Sequence, residues 1–360
     1  MAGIMPPSAV VDQGKTTVID STHHANLFYN GSMTTHSTLT RGYTVALCSA
    51  IILSTTAVFI RYLTQTYRIE PLVLAFWRAL FVVITLLLVF GVFRPGLLRL
   101  PRRRLPYLAV YGLVLAAFNS LWTLSVAQNG AAVATVLVYC SAAFTALLGW
   151  WLLKEQLDWG KIAAVVLCLS GCVLVSGALS AAVWQSNLLG ILAGVLSGLG
   201  YAVYSLMGRS ASQRGLNPWT TLLYTFAFAT LFLLTVNLLP GDWLPGTASQ
   251  PADLFVLGNS WAGWGVLLLL AAGPTVAGFG LYNVSLSLLP ASVVNLIVTT
   301  EPVFTAVLAF FLLGERLSPA QLGGSLLIMS GVIFLRVYEG QQAKRRRLAQ
   351  SGISTASAAD

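Results

Sequence analysis

The sequence predicts an all-α integral membrane protein with ten transmembrane helices arranged as a 5+5 inverted-topology repeat. Three observations predict it: a composition too apolar for a water-covered surface, ten apolar runs of spanning length, and an internal duplication. Of 360 residues, 57% are apolar and 9% charged, against roughly a quarter charged in an ordinary soluble domain. So few charges cannot solvate the surface of a soluble fold of this length. Lipid must cover much of it.

A helix needs about 20 mostly apolar residues to cross ~30 Å of hydrocarbon. Ten segments qualify: 43–63, 71–93, 105–127, 130–153, 161–180, 188–208, 218–239, 261–284, 291–313 and 319–338. Residues 1–40 are polar, contain no continuous apolar stretch of signal-peptide type, and read as a disordered N-terminal tail. Residues 41–180 and 188–338 form the two five-helix repeats, and 341–360 a basic C-terminal tail.

Lys and Arg set the orientation. With the N-terminus inside, sixteen basic residues fall on the cytoplasmic side, whereas Arg61, Arg68 and Arg316 fall outside and Arg78 lies within a span. The expectation is a multi-pass plasma-membrane protein with both termini cytoplasmic and the 240–260 loop outside. The net charge of +9 does not indicate nucleic acid. Its carriers cluster at the ends of apolar runs, as in Arg102–Arg104 and Lys344–Arg347, and form no basic stripe interleaved with aromatics. The expected partners are a small-molecule solute and the lipid bilayer, without nucleic acid and with a homodimer left open.

The cysteines, Cys48, Cys140, Cys168 and Cys172, all sit in apolar runs and read as small apolar residues. The histidines, His23, His24 and His36, lie in the N-terminal tail. No metal site and no cofactor is expected.

The duplication is legible in the residues. At an offset of 160, Ser141–Val175 matches Glu301–Leu335 at eleven of 35 positions, including Glu155/Glu315, Ser170/Ser330 and Gly171/Gly331. Apolar composition explains matching Leu and Ala but not a matching Glu or Ser-Gly. Earlier in each half the offset is 147 and pairs Pro71 with Pro218. Five helices per half is odd, so the second half enters from the opposite face, as in secondary transporters that place their substrate at the repeat interface.

The run Glu301-Pro-Val-Phe-Thr-Ala-Val-Leu-Ala-Phe-Phe-Leu-Leu-Gly-Glu315-Arg-Leu, with its weaker first-half copy ending Leu-Lys-Glu155-Gln-Leu, resembles the signature of the EamA family of the drug/metabolite transporter superfamily. The resemblance covers residues 43–338 and implies a central cavity, alternating access and, commonly, export of metabolites or amino acids. The sequence departs from the pattern at Ala142, which stands where the second half has Pro302, and this puts equal flexibility of the two halves in question.

Intramembrane charge is costly and asks for a reason. Glu301 lies ten residues past Ala291, roughly 15 Å along a helix and near the bilayer middle. Pro302 follows it and leaves the carbonyl of Val298 without its helical donor. Such a carboxyl can bind a cation or carry a coupling proton; the alternative is a neutral group bonded to a neighbouring helix. Ser292, Asn295 and Thr299 share one helical face, from which Glu301 points more than a right angle away.

The 160 offset pairs Asn295 and Thr299 with Thr135 and Tyr139, and it pairs Asn119, Trp122 and Thr123 with Phe279, Tyr282 and Asn283. The 147 offset brings Tyr201 and Tyr204 opposite Ser54 and Ala57. Polar or aromatic residues at equivalent depths fit a cavity on a pseudo-twofold axis. The candidate substrate-binding residues are therefore Asn119, Trp122, Thr135, Tyr139, Tyr201, Tyr204, Tyr282, Asn283, Asn295 and Thr299, with Glu301 for coupling. Arg78 reads as a residue that snorkels outward rather than as an anion anchor. Glu155 and Glu315 read as structural, pairing with Lys or Arg or capping the next helix. Gly190, Gly194 and Gly198, spaced by four, read as a close helix contact.

The expected function is secondary transport of a small metabolite or amino-acid-like solute, with export and proton coupling as its finer points. An intramembrane enzyme or a channel-like facilitator is the alternative. One deep carboxyl without histidine offers little for an enzyme, and no filter motif marks a channel.

Overall fold

The computed structural model describes residues 21–153, 158–176, 187–239, 244–288, 294 and 297–356. Among them the regular structure is helical: α1 Ser21–Thr66, α2 Pro71–Phe93, α3 Leu105–Asn129, α4 Ala131–Val138, α5 Ser141–Leu153, α6 Trp159–Ser176, α7 Leu188–Gln213 and α8 Pro218–Leu238. Then come α9 Trp261–Leu270, a π-helical stretch Ala271–Gly278, α10 Phe279–Leu288, α11 Glu301–Leu313 and α12 Pro319–Ala356. Eight stretches are long and apolar enough to cross a membrane, and Trp159–Val175 and Glu301–Leu313 are shorter apolar helices. Residues 21–40 and 341–356, read from composition as parts of the tails, continue α1 and α12 as helix. A span that already exists supplies the helical nucleus, so its extension needs no second one.

Local chemistry sets the helix ends. Pro71 and Pro218 open their helices where the missing N–H costs nothing. The Asn217 side chain caps α8 by accepting from the Trp219 N–H at 2.9 Å. The turn between α3 and α4 needs Gly130, whose φ is +88°.

The fourth and ninth expected spans are both interrupted, and at equivalent places. In the first half, Cys140 N–H donates to the Leu137 carbonyl and Ala143 N–H to that of Cys140; in the second, Thr300 donates to Ile297 and Val303 to Thr300. Each residue of one set is its counterpart plus 160. Pro302 accounts for the second break. The first has Ala142 at that position, so proline is not required for the break.

The two fifth helices pack antiparallel and reciprocally. A Cβ on Gly171 would meet Ile328 and Gly324, whereas one on Gly331 would meet Cys168 and Ala164. With the 160 offset, these are the same contacts read from either half. Reciprocity of this kind is the mark of a twofold relation.

The α7 glycines pack tightly, as their spacing predicts. A Cβ on Gly194 would lie 2.7 Å from Leu137 Cδ1 and 2.8 Å from Ser125 Oγ, and one on Gly198 would lie 2.6 Å from Cys140 Sγ. Overpacking typically costs ~1–3 kcal/mol. Gly194→Leu is therefore expected to melt lower in detergent and to lose transport. A wild-type melting curve with wild-type activity would refute the contact.

Glu315 caps a helix, but not the next one in sequence. Its carboxylate accepts from Ala131 N–H at 2.9 Å and Ala132 N–H at 3.2 Å, the N-terminus of α4 in the other half, and pairs with Arg61 at 3.4 Å. Arg61 also donates to the Ala127 carbonyl at the end of α3. One carboxylate thus ties α1, α3 and α4 to the α11–α12 turn. The equivalent Glu155 lies outside the described residues.

Candidate functional site

The two helix breaks face one central cavity of about 930 Å³, counting the space at its mouth. Its walls come from α1 (Leu53, Thr56), α2 (Arg78), α3 (Leu115, Phe118, Asn119, Trp122) and α7 (Tyr201, Tyr204), with Phe226 from α8 and Thr275 from the π-helical stretch. Val138, Tyr139 and Ser141 border it at the first break, Val298 and Glu301 at the second, and Phe279 and Tyr282 from α10. Ser141 and Glu301 are equivalents at the 160 offset, each opening the second half of a broken helix.

Seven of the residues proposed from sequence line this cavity: Asn119, Trp122, Tyr139, Tyr201, Tyr204, Tyr282 and Glu301. Thr135 is buried with its hydroxyl donating to its own helix at Ala131 O, 2.8 Å, and it does not border the cavity. Thr299, buried, and Asn283, half-buried, also stand outside the lining. Asn295 lies outside the described residues. The wheel argument separating Thr299 from Glu301 agrees with this placement.

At Glu301 one phenol serves two acceptors. Tyr139 Oη lies 3.0 Å from the Val298 carbonyl, the group Pro302 leaves without a donor, and 3.0 Å from Glu301 Oε2. The break is thus bridged by a side chain from the opposite half. On the other wall, Tyr201 and Tyr204 stack near Phe118, with Phe118–Tyr201 ring centroids 5.4 Å apart and Tyr111–Tyr204 4.8 Å apart.

Arg78 does not snorkel. It is 3% exposed and turns inward, donating from Nη2 to Asn119 Oδ1 at 2.6 Å with its guanidinium 5.3 Å from the Trp122 ring. Its position about a third of the way along a span suggested an outward reach. The aromatic face of Trp122 and the Asn119 acceptor hold it in the bundle instead. Arg78, Thr56, Ser141 and Thr275 are the polar lining residues that sequence reasoning left out. For Ser141 a signal existed, since it is the 160-offset partner of Glu301.

Among the described residues no group of three His, Cys, Asp or Glu could hold a metal ion. Among the described residues, Glu301 is the one acidic group on the cavity wall.

The family model described as "EamA-like transporter family" matches the chain twice, over residues 40–177 and 188–337. Among curated proteins, the chain is 28% identical to an uncharacterized transporter of Synechocystis, over 62% of this chain and 64% of that one. It is 26% identical to the uncharacterized transporter YwfM of Bacillus subtilis, over 64% and 73%, and 24% identical to an uncharacterized transporter of Archaeoglobus fulgidus, over 81% and 95%. The match thus spans less than two thirds of the Synechocystis protein. A protein of known crystal structure shares the fold at 19% identity and a TM-score of 0.54, over 83% of this chain and 98% of that one. Apolar helices of spanning length, two tandem matches and relatives named as transporters agree: the chain is a multi-pass membrane protein of the EamA-like transporter family.

Proposed function

We propose that the protein is a secondary transporter that exports a small metabolite or amino-acid-like solute by alternating access, with Glu301 carrying a coupling proton. The observation that carries this reading is the pair of equivalent helix breaks at Tyr139–Cys140 and Thr299–Thr300, both bordering one cavity. Irregular backbone at membrane depth is tolerated where it lines a cavity, and broken helices at a repeat interface are a recurrent transporter site.

The ten-helix, 5+5 count rests on adding the two shorter apolar helices to the eight longer stretches. The reciprocal, antiparallel contact of Gly171 and Gly331 with each other's helices supports a pseudo-twofold axis in the membrane plane. In this reading the walls on either side of the cavity open in turn, and the Glu315 clasp closes the outer side. The termini are cytoplasmic and the membrane is the plasma membrane. A homodimer is compatible with this reading.

The topology is checked by labelling in a background with the four native cysteines replaced. Cysteine at Ser249, in the exposed loop, is expected to react with an impermeant thiol reagent in intact cells, and cysteine at Ser351 is not. The reverse pattern, or equal labelling, would overturn the ten-helix reading. Direction is tested by offering inside-out vesicles a panel of labelled amino acids and organic acids. Uptake dependent on the protein is expected, and its confinement to right-side-out vesicles would overturn export.

A further inference from the structure

The cluster around Arg78 has donors and lacks acceptors. Arg78 and Asn119 are each 3% exposed and Trp122 is 8% exposed. The single hydrogen bond joining them, Arg78 Nη2 to Asn119 Oδ1, uses the acceptor of the Asn119 amide and leaves its NH₂ as a donor. Arg78 Nε, Asn119 Nδ2 and Trp122 Nε1 are all buried without a hydrogen-bond partner. Buried polar groups are nearly always paired, so three unpaired N–H donors on one side of a cavity ask for an explanation.

Charge sharpens the point. Among the described residues no acidic side chain pairs with Arg78. The other charged residue on the cavity wall, Glu301, bonds to Tyr139 instead. A guanidinium is always protonated and presents a planar fork of donors. A buried cation without a counter-charge is costly, and the described residues supply none here.

We propose that the transported solute carries a carboxylate, bound by Arg78, Asn119 and Trp122. This rests on the transport reading and adds the class of cargo. A carboxylate has two oxygens and about four lone-pair sites, all acceptors, which matches a set of donors. Bidentate Arg–carboxylate pairing adds orientation as well as strength. With one cation on the wall, a singly charged carboxylate balances the site, whereas a phosphate monoester would leave a charge uncompensated. The rest of the solute meets Leu115, Phe118, Tyr201, Phe226 and Phe279, so it is apolar or aromatic in that part.

The test uses pairs of probes that differ in charge and hardly in shape: benzoate with benzamide, and 3-phenylpropanoate with 3-phenylpropanamide. Each is titrated against the purified full chain in nanodiscs, with the thermal midpoint and tryptophan fluorescence as readouts. The carboxylates are expected to raise the midpoint and the amides are not. Arg78→Gln is expected to weaken carboxylate binding by tenfold or more, the range of a lost hydrogen bond to a charged group. Asn119→Asp places an internal carboxylate at the guanidinium. It is expected to melt no lower than wild type and to bind carboxylates at least tenfold more weakly, which keeps the test open if Arg78→Gln fails to fold.

Equal effects of acids and amides, no effect of either on wild type, or wild-type carboxylate affinity in a folded variant would overturn the proposal. Carboxylate binding without solute flux in proteoliposomes would remove the transport reading and leave the oxyanion site. Flux of neutral solutes without carboxylate binding would do the opposite.

Discussion

Glu301→Gln is expected to abolish proton-gradient-driven accumulation in reconstituted vesicles while exchange at equal pH continues. The reason lies in the single proton of Tyr139, which faces both the Val298 carbonyl and Glu301 Oε2 at 3.0 Å. When the carboxyl is protonated, it donates to Tyr139 and the phenol donates to Val298, so every group is satisfied. When it is ionised, carboxylate and carbonyl compete for one donor, and the bridge across the helix break weakens. Protonation is thereby linked to the backbone at the point where α11 begins.

Glutamine donates to the phenol as the protonated acid does, and it cannot titrate. The variant is expected to keep its fold and its exchange activity and to lose response to an imposed pH difference. Solute concentrated against its gradient by Glu301→Gln would rule out the proton role. Joint loss of both activities and of the folded protein would assign Glu301 a structural role.

Glu315→Ala is expected to lower stability. It removes the acceptor for two N–H groups at the start of α4 and the partner of Arg61. Losing an N-cap acceptor costs about 0.5–2 kcal/mol. The ion pair adds less than a fully buried one, because its side chains are 20% and 18% exposed. A combined loss of roughly 2 kcal/mol is expected, read as a lower melting midpoint. Glu315→Gln keeps one acceptor and is expected to recover part of the stability. An unchanged midpoint in Glu315→Ala would show that the clasp contributes nothing.

Helix positions were largely legible, since the eight long apolar stretches begin and end within four residues of the expected spans. Length and apolar content decide these, and both are local. Most of the cavity's aromatic residues were legible as well, through the offsets of 160 and 147 that bring one half's positions opposite the other's. What escaped depends on distant partners. Arg78 turns inward because of Asn119, 41 residues away, and Trp122. Glu315 caps a helix 184 residues earlier in the chain. The first-half break carries no proline. Thr135 has the right periodicity but spends its hydroxyl on its own helix, a local competition that spacing cannot reveal.

Counterflow tests the central claim of alternating access about one cavity most directly. Proteoliposomes are loaded with an unlabelled solute that the protein moves, then diluted into a trace of the same solute carrying label. A carrier whose site faces one side at a time returns with labelled solute for each unlabelled one released, so transient accumulation of label above equilibrium is predicted. Label that rises smoothly to equilibrium without an overshoot would contradict the account and describe a channel.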